Sequence, residues 1–196
     1  MTGEQPSSHR DAAFEREALA LLPDVARYAK SLTRDESEAD DLVQDTFMMA
    51  YQAWDQYTPG TECRAWLFTI CRRRFLRVRR TAERNIPTED ADLEALAAAD
   101  LHRHARAEGL DHVFERSEMR AAVEKAMASL PEAFRDVAVL VDLHDHSYES
   151  AAAILGVPLG TVRSRLFRAR RILQEQLLAF AQDAGYGVQR TAGGLQ

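Results

Sequence analysis

Residues 147–173 read SYESAAAILGVPLGTVRSRLFRARRIL. This stretch scans as a helix, a tight turn and a second helix. The first helix carries Ala151, Ala152 and Ala153, small residues that let a partner helix come close. Gly156 falls where a helix-to-helix turn needs positive φ, a conformation that costs glycine little. Pro158 suits the start of the second helix, where its missing N–H is not needed. On that helix Val162, Leu166, Ala169 and Leu173 fall at i, i+4, i+7 and i+11 and share one apolar face. The remaining face carries Thr161, Arg163, Ser164, Arg168 and Arg171, with Arg165 and Arg170 at its flanks. From Leu159 to Leu173 there are five arginines and no acid. A solvated basic face alone would be commonplace. Combined with the glycine turn and the alanine cluster, it points to a helix that reads the DNA major groove. Guanidinium forks fit guanine edges and phosphates there, and short hydroxyls permit close approach.

A chain of 196 residues has room for one or two domains with usable cores. The formal net charge of −6 is unlike that of a free-standing DNA binder. Its distribution resolves the conflict. Asp35 to Asp45 holds six acids and no base, whereas Arg64 to Arg80 holds seven arginines and no acid. Such separation predicts two partners of opposite charge. The N-terminus has no apolar signal core and no run is long enough to cross a membrane. With only Cys63 and Cys71 as cysteines, the expected location is a reducing cytoplasm.

The periodicities predict an all-α protein of two small helical domains joined by a flexible linker. Residues 1–12 are polar and expected to be disordered. The first domain spans 13–81. Within it Ala39, Leu42, Val43, Thr46, Phe47, Ala50 and Trp54 make one stripe of a helix over 36–55. The Pro-Gly pair in residues 57–62 marks a turn, and a further helix follows from about Arg64 to Arg80. Residues 82–117 are alanine-rich and acidic and read as the linker. The second domain spans 118–181 and contains the helix-turn-helix. A glycine-containing tail, 182–196, is expected to be mobile.

Two segments carry a resemblance. Residues 40–80, DDLVQDTFMMAYQAWDQYTPGTECRAWLFTICRRRFLRVRR, resemble region 2 of bacterial RNA polymerase sigma factors of the extracytoplasmic-function (ECF) group. Residues 130–173, LPEAFRDVAVLVDLHDHSYESAAAILGVPLGTVRSRLFRARRIL, resemble region 4. The order, spacing and intervening linker agree with that group. The resemblance implies that Asp40, Asp41, Leu42, Gln44, Asp45 and Phe47 meet the clamp helices of the polymerase β′ subunit. An acidic face suits a basic partner, although Leu42 and Phe47 also sit on the apolar stripe. It further implies that Arg64, Trp66, Arg72, Arg73, Arg74, Arg77 and Arg80 open and read the −10 element. Melting DNA requires grip on the strand and aromatic or pocket surfaces for unstacked bases. Phe68 and Phe75 join Trp66 as aromatic candidates, with core packing as the competing role. The loop Asp55 to Glu62 would shape a pocket for a flipped base. Arg73 stands where the family often has asparagine.

For region 4, the resemblance implies that Thr161, Arg163, Ser164, Arg165, Arg168 and Arg171 read the −35 element and that the domain touches the polymerase β flap. The family pattern near SYEEIAEILG appears here as SYESAAAILG, so Ser150 and Ala151 replace a carboxylate and a larger apolar residue. These shorter side chains are expected to weaken packing, while Ser147 still caps the helix. Members of this size are commonly held by an anti-sigma factor, and such a partner would cover residues 38–55. No cofactor, metal, catalytic step or membrane insertion is expected. Cys63 and Cys71 are not a CxxC pair, and the His102/His104 and His144/His146 pairs lack a nearby cysteine. A sigma mimic that sequesters an inhibitor would not need arginines in both DNA-facing helices. A recombinase would need a catalytic constellation in residues 13–81, which the resemblance leaves no place for.

Overall fold

The computed structural model describes residues 6–33, 35–85 and 111–184. Among them all regular structure is helical. The helices are α1 (Pro6–Glu17), α2 (Leu22–Thr33), α3 (Glu36–Gln52), α4 (Cys63–Asn85), α5 (Asp111–Ser129), α6 (Glu132–Ala138), α7 (Tyr148–Leu155) and α8 (Leu159–Asp183). Single 3-10 turns lie at Leu19–Leu21 and Trp54–Gln56, and a π-helical turn at Val139–Leu143 continues α6. The segments expected as linker and tail fall largely on residues 86–110 and 185–196, outside the described residues. Helix α4 itself reaches past the expected end at Arg80.

The chain divides into two compact units. One unit joins Met1–Asn85 to Asp136–Leu166; the other joins Ile86–Arg135 to Phe167–Gln196. The helix-turn-helix falls in the first unit as far as Leu166. Its first half packs on α4 through buried side chains described below.

In the first unit, α2, α3 and α4 enclose Val25, Tyr28, Ala29, Leu42, Phe47, Leu67, Phe68 and Cys71, all buried. The predicted stripe of α3 is the face that turns inward: Ala39, Leu42, Thr46, Phe47, Ala50 and the following Trp54 are buried. Thr46 has no exposed surface, and its hydroxyl donates to the Leu42 carbonyl at 2.6 Å. Asp35 caps α3 by accepting from the Glu38 amide at 2.9 Å.

Helix α1 corrects the expectation of a disordered 1–12 from Pro6 onward. Phe14 is buried with its ring edge-on to Tyr51 (5.2 Å) and Trp54 (5.1 Å). Arg10 lies 4.5 Å over the Tyr51 ring and pairs with Asp55 at 3.0 Å. The Tyr51 hydroxyl donates to Asp11 at 2.7 Å. The polar sequence is ordered by partners 40 and 45 residues away in the chain.

The turn of the helix-turn-helix forms as its sequence predicts. Ser147 accepts from the Ser150 amide at 3.0 Å and caps α7. Gly156 ends α7 at φ 66° and ψ 37°, with its own amide on the Ala152 and Ala153 carbonyls. A β-carbon at Gly156 would meet open space. The penalty for Gly156→Ala is therefore the left-handed backbone alone, about 1–2 kcal/mol. A urea titration should show a lower midpoint with an unchanged slope; an unchanged midpoint would mean the turn relaxes at no cost.

In the second unit, Arg135 serves the C-terminal end of α5. Its guanidinium donates to the carbonyls of Met127 (3.0 Å), Ala128 (2.6 Å) and Leu130 (2.7 Å). These are acceptors that a helix end leaves without intrahelical partners. The Ser129 hydroxyl donates to Gln176 of α8 at 2.9 Å.

Candidate nucleic-acid and partner interface

The expected polymerase-contact residues of α3 separate into exposed and buried groups. Asp40, Asp41 and Gln44 are exposed. Asp45 is partly buried and accepts from Arg74 of α4 at 2.6 Å. Leu42 and Phe47 are core residues, 5% and 9% exposed, so neither offers a contact surface. Met48, which the spacing did not single out as a contact, is 53% exposed one turn beyond Gln44. It lies on the same helix face as Asp41 and Gln44.

The arginines of α4 also differ among themselves. Arg73, Arg77 and Arg80 are exposed. Arg64 pairs with Asp24 of α2 at 3.1 Å and lies 5.1 Å over the Phe68 ring. Arg72 pairs with Asp136 at 2.7 Å, with side chains only 18% and 16% exposed. Arg74 holds Asp45. Three of the seven expected −10 residues thus form ion pairs within this chain. Trp66 is half-buried in an aromatic group, 5.2 Å from Tyr57 and 5.9 Å from Trp54. Tyr57 stacks on Trp54 at 4.8 Å and its hydroxyl donates to the Thr61 carbonyl at 2.9 Å, which shapes the loop of residues 55–62. Phe68 belongs to the core and has no exposed surface, so its role is packing.

Along α8, Val162, Leu166 and Ala169 are buried, as their spacing predicts. Arg163, Ser164, Arg168 and Arg171 are exposed, while Thr161 and Arg165 are partly buried. Arg171 pairs with Glu175 at 3.1 Å in an open setting, with side chains 71% and 63% exposed. Sequence reasoning passed over Phe167, which is 69% exposed. The signal was present: residue 167 falls off the 162/166/169 stripe and between Arg163 and Arg171 at i+4 spacing.

His144 and His146 form the least expected part of the packing around α4. The π-helical turn ends in the His144 amide bonding to Val139, and Asp145 follows at φ 52°. This path turns both imidazoles inward, 5% and 7% exposed. Phe68 meets His144 at 5.4 Å and His146 at 4.7 Å, and stacks flat on Tyr28 at 4.3 Å. Burial, followed by the nearby Arg64 charge, pushes both imidazoles down to about 4. Burial pushes the Tyr28 phenol up. Ser150, read as a weakening replacement, has a polar role: its hydroxyl donates to Glu62 at 2.8 Å and meets His146 Nδ1 at 3.1 Å. Among the described residues no three His, Cys, Asp or Glu side chains group as metal ligands. His102 and His104 lie outside the described residues.

Burial raises the Cys63 thiol to about 11 and the Cys71 thiol to about 12. Both are thereby poor sources of thiolate. Alkylation of the native chain at pH 8 should run at least roughly a hundredfold slower than that of a free thiol. Rapid labelling of either cysteine would contradict the burial.

The geometry meets its counterpart in known proteins at both segments. The Sigma-70 region 2 family matches residues 18–85, and the Sigma-70, region 4 family matches residues 120–173. The chain belongs to the ECF RNA polymerase sigma factors. It is 37% identical to the ECF RNA polymerase sigma factor EcfG of Rhodopseudomonas palustris, over 85% of this chain and 87% of that protein. Among solved structures, the sigma factor RpoE in complex with the anti-sigma factor NepR from Bartonella quintana is 33% identical. It superposes with a TM-score of 0.64 over 85% of this chain and 97% of that one. The structure of CnrH in complex with the cytosolic domain of CnrY gives 26% identity and a TM-score of 0.54, over 90% and 91% of the two chains. Among the described residues no helix is long and apolar enough to cross a membrane.

Proposed function

We propose that this chain is a dissociable sigma subunit that binds core RNA polymerase in the cytoplasm and directs it to promoters with −10 and −35 elements. In this reading it performs no catalytic step of its own. The observation that carries the reading is the placement of opposite charges on separate helices. Exposed Asp40, Asp41 and Gln44 with Met48 give α3 an acidic face with an apolar centre, suited to the basic clamp helices of β′. Exposed Arg73, Arg77 and Arg80 on α4 suit the phosphates and bases of the −10 strand. Arg163, Ser164 and Arg168 on α8 suit base edges and phosphates of the −35 major groove, and the exposed Phe167 ring suits a thymine methyl.

The complexes of similar chains with NepR and with the cytosolic domain of CnrY support control by a protein inhibitor here too. Its expected footprint is residues 38–55, the polymerase-binding face, in a one-to-one complex. Inhibitor and polymerase would then compete for one surface.

The test follows from the burial pattern. Asp45 holds Arg74, so reversing it would disturb the fold. Asp40→Arg with Asp41→Arg changes only exposed positions. This double variant should keep the wild-type melting temperature within a few degrees and lose at least about tenfold in affinity for core polymerase. Undiminished binding in a titration of core polymerase would remove the α3 assignment.

A further inference from the structure

The contact between the helix-turn-helix and region 2 uses up side chains that promoter binding would need. Arg72 of α4, one of the expected −10 residues, is closed off by Asp136 at the base of the helix-turn-helix. Ser150 of α7 ties down Glu62, the residue that precedes α4. Between these two ties, the rings of His144 and His146 rest on Phe68 of α4, and His144 also meets Tyr28 of α2 at 5.4 Å.

We infer that residues 136–150 form an autoinhibitory latch, which holds the helix-turn-helix on α4 in the free chain and releases when His144 and His146 take up protons. This inference rests on the reading of α4 as the −10 helix.

The latch fits neutral histidines. The His146 Nδ1 faces the Ser150 hydroxyl, while its buried Nε2 has no hydrogen-bond partner among the described residues. A proton there would place an unsatisfied N–H donor and a positive charge against the Phe68 ring. Other charged groups around the pair do not offset this. From α4, Arg64 opposes protonation of both rings, and from α2, Arg27 opposes that of His144. Asp24 of α2 favours it, but it already pairs with both Arg27 and Arg64. Glu62 favours protonation of His146, and it already accepts from Ser150. Arg72 and Asp136 compensate each other. Tyr28 and Cys71 are held neutral by burial.

The sign follows from linkage. Both histidines have their affinity for protons lowered in the closed chain, so the open chain binds more protons. Closure is therefore complete above the ordinary histidine value of 6.5 and weakens as the pH falls from there toward about 4. Each histidine should favour opening by about tenfold or more between pH 7 and pH 5.

The experiment is single-molecule energy transfer on the full chain, with dyes on Glu38→Cys of α3 and Glu149→Cys of α7, both exposed positions. Cys63 is only partly buried and is replaced by Cys63→Ser in every labelled chain, while the fully buried Cys71 stays unlabelled in a short reaction. The wild type should show high transfer at pH 7.5, with a low-transfer population that grows at least about tenfold between pH 7 and pH 5. His144→Phe with His146→Phe keeps the aromatic packing and should abolish that growth. Asp136→Ala should raise the low-transfer population at pH 7.5 while circular dichroism stays helical. It should also bind a fluorescent single-stranded −10 oligonucleotide more tightly than the wild type. If the phenylalanine pair responds to pH as the wild type does, or if Asp136→Ala leaves transfer unchanged, there is no such latch. If Asp136→Ala opens the chain without tighter oligonucleotide binding, the latch is not inhibitory. Arg77→Ala with Arg80→Ala in the holoenzyme separates the two ideas: wild-type initiation by that variant overturns the −10 reading of α4, and with it the inhibitory role.

Discussion

Arg163→Ala and Arg168→Ala are each expected to lower initiation from a promoter with an intact −35 element by about 1–3 kcal/mol, roughly 5- to 150-fold. Both side chains are exposed on α8, and the buried Leu166 and Ala169 fix the direction in which that face points. Neither substitution removes a core contact, so the fold and the affinity for core polymerase should be unaffected. Arg171→Ala provides the internal contrast. Its partner Glu175 is on the same helix and both side chains are mostly solvated, so the intramolecular pair contributes little. Any loss on Arg171→Ala would then report a phosphate contact, seen as a shallower salt dependence across all promoters. Abortive initiation on templates with and without the −35 element measures each case. Equal rates for wild type and both variants on the intact template would show that α8 does not read DNA.

Phe68→Ala is expected to destabilise the chain by about 3–5 kcal/mol. The ring is fully buried and lies at the meeting point of four side chains: Tyr28 stacked flat, His144 and His146 edge-on, and the Arg64 guanidinium above. Truncation would leave a cavity against Tyr28 and remove the surface on which both imidazoles rest. Thermal unfolding should occur well below the wild-type temperature, and core-polymerase binding should fall only as far as unfolding dictates. If instead the variant melted like the wild type but failed to open promoters, Phe68 would be a DNA contact and its burial would have to be transient.

The parts of the fold legible in the sequence are those governed by neighbours in the chain. The Ser147 cap, the left-handed Gly156 and the buried 162/166/169 stripe depend on residues within a turn or two. The same holds for the α3 stripe, whose inward face follows from its 3.6-residue period. What the sequence did not disclose depends on distant partners. Residues 6–12 are polar in composition, yet Arg10 and Asp11 find Asp55 and Tyr51 and become ordered. His144 and His146 stand in the sequence only as an HxH pair without a nearby cysteine, and nothing there discloses that the π-helical turn and the positive φ of Asp145 turn both inward. Ser150 gained a role only because Glu62, 88 positions away, lies beside it.

The charged site residues followed the same division. Charge alone could not separate Arg73, Arg77 and Arg80, which face solvent, from Arg64, Arg72 and Arg74, which face acids on other elements. Helical phase hinted at the difference, since residues 73, 77 and 80 follow an i, i+4, i+7 pattern. Phase could not identify Asp24, Asp136 and Asp45 as the partners.

The most direct measurement is run-off transcription by core polymerase reconstituted with the full chain, on a template library randomised separately at the −35 and −10 positions. Initiation should depend on added chain, with enrichment of preferred bases at both elements. Arg163→Ala or Arg168→Ala should flatten the −35 preference alone, and Arg77→Ala with Arg80→Ala should reduce output through the −10 element. Initiation no higher than with core polymerase alone, or enrichment that does not respond to these substitutions, would contradict this reading.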